Sequence, residues 1–416
     1  MDSHTLKFLL PHAPPDTTDQ RWEPPLEEDE QMKITNVRTI KLAATIPPEL
    51  RWRTDAGIAT RHEAAIISVE TDEGLVGYGE AKGSPPVIEA IVENRLRPHL
   101  IGQDPSRVEY LWESMYSGGR LELALAHGRA YAAANIRGEV MCAISGVDIA
   151  LWDLLGKSLD LPLHRLLGGG LRDHVRAYAS GGWAGPGKAA DEIGGYLAKG
   201  YTAAKIRVGG LDNEDFPARS VARLEEIREA IGSNVDLMMD AHGALTRTQA
   251  SRLAHAVEDL DIRWFEEPVA VSEDLAGLAE VRARTTIPIA TGENEQTRYA
   301  FATILEAKAA DVIQPDLAIA GGITESRRIA ALAQAQGVTV EPHTWGSGVL
   351  WAASLQFVAA TPNSTIIEVA QAYNPLLTDL VTTEIGAGPD GYCEVPTRPG
   401  LGIELQPDVE VRYAWS

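Results

Sequence analysis

Apolar residues first recur with a period of two at KITNVRTIKL, just after Met32, which predicts a β-strand. AAIISVETDEG and LVGYGEA repeat that alternation. Asp72, Glu73 and Gly74 between them predict an antiparallel hairpin. PVIEAIVENRLRPHL and SRVEYLWESMY then change to helical spacing. Strands followed by helices predict an α+β domain over residues 32–160. The preceding residues 1–31 hold PHAPPD, WEPP and LEEDE, a Pro-rich acidic stretch with little apolar periodicity, and read as a disordered extension.

From residue 176 the pattern becomes strict alternation of strand and helix. The strand candidates are RAYASGG, AAKIRV, DLMMDAH, IRWFEEP, PIATGE, DVIQPDLA, VTVEPHTW and TIIEV. Amphipathic runs such as ARSVARLEEIREAIG separate them. The seven intervals between the strand starts at 176 and 365 average 27 residues. Repeated βα units of that length build a parallel sheet, and about eight of them close a barrel. A doubly wound open sheet is the rival, but no Gly-rich phosphate loop follows an early strand. The barrel is placed at residues 161–385. The segment 386–416 ends in GLGIELQPDVEVRYAW, which alternates like a strand and is expected to return to the first domain.

Composition changes this picture little. The net charge of −22 argues against nucleic acid and anionic membranes as partners. No run of about 18 apolar residues predicts a membrane span, and the N-terminus lacks a signal-peptide pattern. Two cysteines, Cys142 and Cys393, are too few for a disulfide framework, so a cytoplasmic location is expected.

The polar residues at the strand ends carry the chemistry. Asp240, Glu266 and Glu293 end three successive strand runs, at gaps of 26 and 27 residues. In a barrel that period puts all three carboxylates on one rim, where they suit a hard divalent cation, with Mg²⁺ the first choice. Glu267 competes with Glu266, since strand alternation puts the two on opposite faces. Asp316 and His343 end neighbouring strands. A carboxylate beside an imidazole fixes its tautomer and makes His343 a candidate general base. His242, two residues after Asp240, is expected on the same side as a candidate general acid. Lys205, Arg207 and Glu368 complete the rim. Arg51, Arg53, Arg61 and His62, in the loop PPELRWRTDAGIATRH, are candidates to grip a substrate, and Trp183 and Trp345 are candidates to wall its pocket.

Taken together, ISGVDIALWDLLGKSLDLPLHRLLGG, AAKIRVGG, LMMDAHG, FEEP, TGEN, QPDLAIAGGIT and EPHTWGSG resemble the mandelate racemase-like subgroup of the enolase superfamily, over residues 32–416. The resemblance implies a modified (β/α)7β TIM barrel under an N-terminal α+β capping domain. It implies one Mg²⁺ on Asp240, Glu266 and Glu293, an Asp316–His343 dyad, and a Glu368 that hydrogen-bonds a substrate carboxylate. It also implies a small-molecule acid substrate and an even-numbered homo-oligomer. The chemistry shared across the superfamily is removal of a proton α to a carboxylate, by a Lys or His base working with Mg²⁺.

One departure matters. The subgroup's second strand usually carries Lys-x-Lys, whose second lysine is a base. Here Lys205-Ile206-Arg207 stands in its place, and a guanidinium stays protonated. A two-base racemase is therefore disfavoured, and Lys205 is expected to neutralise the substrate carboxylate. Asp240-x-His242 is similar to the pattern of the superfamily's galactonate and mannonate dehydratases. The expected function is Mg²⁺-dependent loss of water from a sugar acid, giving a 2-keto-3-deoxy acid. A sugar-lactone cycloisomerase on the same scaffold is the nearest rival, ahead of a racemase and of a catalytically dead binding protein.

Overall fold

The structure is a computed structural model that describes residues 31–54, 57–129, 136–209 and 216–416, with the backbone alone at 53 and 54. The extension expected to be disordered lies outside the described residues, except for its last one.

The first domain is a three-stranded antiparallel sheet with helices on it. β1 (Ile34–Thr45) pairs with β4 (Arg61–Thr71), which pairs with β5 (Val76–Ala81). Between β1 and β4 runs a loop carrying a two-residue ribbon, β2 (Arg53–Thr54) and β3 (Gly57–Ile58). The expected hairpin turn is present, with Gly74 at φ +80°. The helix Glu139–Ser158 lies directly on β5. Gly77 and Gly79 permit that approach: a Cβ on Gly79 would stand 2.0 Å from the Gly146 carbonyl oxygen. This close seat fixes the end of β5, from which Glu80 and Lys82 face the barrel.

Eight parallel strands follow: β6 (His174–Gly181), β7 (Ala203–Arg207), β8 (Asp236–Asp240), β9 (Ile262–Glu266), β10 (Ile289–Thr291), β11 (Val312–Ile313), β12 (Thr339–Val340) and β13 (Ile366–Ala370). Each pairs with its predecessor from β7 through β12, and β13 returns to pair with β6. That order is a modified (β/α)7β barrel and excludes the doubly wound sheet. The seam between β12 and β13 is held by loop and side-chain bonds. Val340 N–H donates to the Asn363 carbonyl at 2.8 Å, and the Glu341 carboxylate accepts from the N–H groups of Thr365 and Ile366 at 2.9 and 3.1 Å.

The tail departs from its strand-like reading. β14 (Tyr392–Glu394) runs antiparallel to β6, but residues 401–416 form turns and a one-turn helix, Val409–Arg412. Gly400 and Gly402 at φ +68° and +79°, with Pro407, break the alternation. The last residues still reach the first domain, where Ala43 N–H donates to the Tyr413 carbonyl at 2.8 Å.

The two domains are joined through Gly321-Gly322-Ile323-Thr324. Asp148 Oδ2 accepts from Thr324 N–H at 2.9 Å, Trp152 Nε1 donates to Thr324 Oγ1 at 2.8 Å, and Ser145 Oγ accepts from Gly321 N–H at 2.9 Å. The Gly321 and Thr324 N–H groups belong to the open N-terminus of the helix Gly322–Ala335, so the buried Asp148 caps a barrel helix from the other domain. Among the described residues no helix is long and apolar enough to cross a membrane.

Candidate active site

An apolar plug and a polar layer share one register inside the barrel. Tyr178, Ala203, Met238, Trp264, Ala290, Val312 and Ile366 form a small buried cluster of their own. Two residues further along the chain from each stand Ser180, Lys205, Asp240, Glu266, Gly292, Gln314 and Glu368, with Gly292 and Gln314 just past the ends of β10 and β11. Side chains alternate along a strand, so a residue two beyond a plug residue points inward, one layer nearer the C-terminal rim. The plug keeps water from below, and the polar layer is the floor of the site. Glu293 follows Gly292, and His343 lies beyond the end of β12.

Lys205 is central to that floor. Its ammonium lies 2.6 Å from Glu266 Oε1 and 3.0 Å from Glu368 Oε1, with all three side chains buried. Burial works against its charge, but Glu266 and Glu368 hold its pKa well above the ordinary lysine value. Glu266 also accepts from Trp264 Nε1 at 3.1 Å and Gln314 Nε2 at 2.7 Å, so it faces into the barrel. Glu267 does not simply point the other way. It leaves the strand at φ +37°, its carboxyl is nearly buried, and one oxygen approaches Gly292 N–H at 3.5 Å. Alternation ends where the strand does.

His242 departs from the strand argument for the same reason. Its backbone is left-handed, at φ +47°, and its N–H donates to Asp240 Oδ1 at 2.8 Å. That turn sends the imidazole, exposed at the cavity mouth, toward Glu293, with Nε2 3.2 Å from Oε1. The other Glu293 oxygen is 3.9 Å from His343 Nε2. Two imidazoles thus flank one carboxylate. His343 Nδ1 is 2.8 Å from Asp316 Oδ2, and Asp316 Oδ1 accepts from Ala318 N–H at 2.8 Å as the cap of the short helix Leu317–Ala320. The carboxylate is fixed on both oxygens, which aims His343 Nε2 at the cavity. Burial opposes protonation of His343, but Glu293 and Glu368 carry its pKa to about 9. Glu368 is raised by burial and brought down to about 2 by Lys205 and His343.

The cavity above this layer has a volume of about 450 Å³, within the usual range for small-molecule sites. Trp52 of the first domain and Trp183 and Trp345 of the barrel wall it. Their ring centroids are 5.7 Å apart from Trp52 to Trp183 and 5.6 Å from Trp183 to Trp345. Arg207 lines it, 3.3 Å from Asp240 Oδ2. Three loop candidates are turned elsewhere. Arg51 Nε donates to the Ile46 carbonyl, Arg61 pairs with Glu63 and lies over Trp415, and His62 stacks on Trp52 with Nε2 2.9 Å from the Tyr373 carbonyl oxygen. The side chain of Arg53 lies outside the described residues. Sequence reasoning did not single out Gln314, Trp52 or Lys82. A polar residue two beyond Val312 was the available signal for Gln314; the other two come from a distant segment with no matching period. A larger cavity of about 1000 Å³ lies among His174, Lys199 and Tyr392, by the N-terminal strand ends and away from these groups.

Asp240, Glu266 and Glu293 suit a hard cation by chemistry and crowding. Among the described residues no three ligating side chains already converge on one point. Each carboxylate instead meets a basic side chain: Arg207, Lys205 and His242 respectively. Their mutual repulsion is nonetheless visible. Burial, then Glu293, Asp240 and Glu266, push Glu267 to about 8. Burial raises Glu266 to about 7 against the pull of Lys205, with Asp240 adding to the rise. Excess negative charge held at buried oxygens is what a divalent cation relieves.

Comparison with known proteins agrees with this architecture. Residues 39–168 match the mandelate racemase / muconate lactonizing enzyme N-terminal domain, and residues 188–409 match the enolase C-terminal domain-like family. The chain belongs to the enolase superfamily. It is an enzyme of the mandelate racemase-like branch, and its relatives span nearly its whole length. A D-galactarolactone cycloisomerase of Agrobacterium fabrum is 37% identical over 395 residues, covering 92% of this chain and 99% of that protein. A D-galactonate dehydratase of Ralstonia nicotianae is 36% identical, covering 90% and 92%. The solved 3,6-anhydro-D-galactonate cycloisomerase of Zobellia galactanivorans superposes with a TM-score of 0.79 at 32% identity, covering 92% of this chain and 99% of that one.

Proposed function

We propose that this enolase-superfamily enzyme dehydrates a sugar acid to a 2-keto-3-deoxy acid. The observation that carries the reading is the pair of imidazoles, His242 and His343, on either side of Glu293. A dehydration needs a base for the proton α to the carboxylate and an acid for the departing hydroxyl.

His343 is the base. Asp316 holds its Nδ1, so Nε2 takes the C2 proton. Glu293, the charge that does most to raise His343, would also hold the cation, which would favour the neutral imidazole that a base needs. His242 stands at the exposed mouth, where it protonates the 3-hydroxyl as the carbon–oxygen bond breaks. Lys205 supplies the positive charge that faces the enediolate, oriented by Glu266 and Glu368. Glu368 enters as a carboxylate, and Arg207 borders the substrate beside Asp240. Asp240, Glu266 and Glu293 would hold Mg²⁺, which as a Lewis acid would stabilise the negative charge that develops when the α-proton leaves.

A second reading is supported by the cycloisomerases among the relatives. There the same base acts, and a ring or lactone oxygen leaves in place of water. A library of sugar acids and their lactones, incubated with the enzyme and Mg²⁺, separates the two. Formation of 2-keto-3-deoxy acids from open-chain acids supports dehydration. Lactone consumption without keto acid from any open-chain acid supports the cycloisomerase.

A further inference from the structure

One cation on the cavity wall, Lys82, forms no ion pair among the described residues, although the buried Glu80 carboxylate lies close enough for its pKa to feel the ammonium. It follows β5, and its N–H donates to the Ala318 carbonyl at 3.3 Å, tying that strand end to the short helix Leu317–Ala320 after β11. Its partly buried ammonium lines the cavity and donates to the Trp345 carbonyl. No described carboxylate stands within ion-pair distance of it. The neighbouring Glu80 is committed to Ser347 and to Leu350 N–H. The other cations of the cavity are matched: Lys205 with Glu266 and Glu368, Arg207 with Asp240, His343 with Asp316.

An ammonium has three donors, and one neutral carbonyl leaves this one with donors to spare and no carboxylate in direct contact. Trp345, whose carbonyl receives it, also presents its ring to the cavity as one end of the Trp52–Trp183–Trp345 wall. Aromatic faces suit the C–H surface of an extended polyol chain, and a cation beside them suits an anionic terminus.

Resting on the acid-sugar reading, we propose that Lys82 binds a second carboxylate, at the end of the sugar chain remote from the one whose α-proton is removed. The substrate is then an aldaric acid, a diacid, in preference to an aldonic acid. Lys82 is a specificity residue supplied by the capping domain.

The test is calorimetric titration of matched hexaric and hexonic acids into the Mg²⁺-loaded His343→Asn protein, with and without Lys82→Met or Lys82→Arg. Keto-acid formation by the corresponding proteins with His343 intact is followed in parallel. Lys82→Met is expected to weaken hexarate binding by on the order of 10–100-fold, the usual weight of a charge-assisted bond, and hexonate binding by less than about 3-fold. Lys82→Arg is expected to keep the hexarate preference. A purely structural role, holding the Trp345 loop, predicts equal losses for both classes and overturns the proposal, as does equal binding of the two classes to the Lys82 protein. A Lys82-dependent hexarate preference without keto acid sinks the dehydratase reading and leaves the diacid assignment standing. Keto acid from hexonates with no such preference does the reverse, and absence of binding by either class overturns both.

Discussion

His242 Nε2 lies 3.2 Å from Glu293 Oε1, across a left-handed turn that carries it past the end of its own strand. The prospective acid and one prospective metal ligand are therefore in contact. Turning Glu293 to a cation exchanges that contact for another. Glu293→Gln is expected to abolish calorimetric Mg²⁺ binding and to reduce turnover to background. EDTA treatment of the unmodified enzyme is expected to do the same to turnover, with recovery on adding Mg²⁺. Full activity after exhaustive chelation contradicts the metal assignment.

Lys205 neutralises two carboxylates that are 0% and 1% exposed. Removing one partner leaves buried charge uncompensated, at a cost of about 3–5 kcal/mol. Lys205→Met, in EDTA, should lower the urea midpoint accordingly and abolish turnover. A midpoint unchanged from the parent protein shows that the three groups are not coupled.

The orientation of His343 rests on Asp316. Replacing His343 by Asn is expected to lower kcat by on the order of 10²–10⁴-fold, the usual contribution of a general base. Asp316→Asn should give a smaller loss, with KM little changed, because the imidazole remains but is no longer held. Steady-state kinetics with the best substrate from the acid-sugar library checks both, and an Asp316→Asn enzyme of parental kcat removes the dyad from the mechanism.

Asp148 predicts a pH effect on stability. Burial raises its carboxyl to about 7, against the hydrogen bonds from Thr324. Between its ordinary value, about 3.9, and 7 the folded chain keeps a proton that the unfolded chain has lost. Stability from this group is thus present at pH 4, falls as pH rises, and levels above 7. The stability of the parent relative to Asp148→Asn is expected to fall by on the order of a few kcal/mol from pH 4 to 8. Parallel urea curves for the two proteins across that range contradict the assignment.

Much of the barrel is legible in the sequence because its period is local. Each strand end repeats after about one βα unit, which places Asp240, Glu266, Glu293, Asp316 and His343 on one rim. Residues beyond strand ends are harder. His242 and Glu267 have positive φ, and period-two reasoning fails where the strand stops. Contacts between domains are not legible: Lys82 and Trp52 reach the cavity from a sheet far away in sequence. Gly321-Gly322-Ile323-Thr324, part of the family pattern, receives Asp148, Trp152 and Ser145 from the capping domain, and nothing in its spacing says so. The strand-like tail misleads because alternation alone does not register glycine and proline breaks.

In the proposed dehydration His343 and His242 divide the two proton transfers between them. Solvent exchange of the C2 proton in D₂O, followed by NMR alongside keto-acid formation in the His242→Asn enzyme, tests this division most directly. Exchange retained with product formation lost is the predicted result, since the base remains and the acid is gone. Product formation at the parental rate would remove His242 from the role of acid.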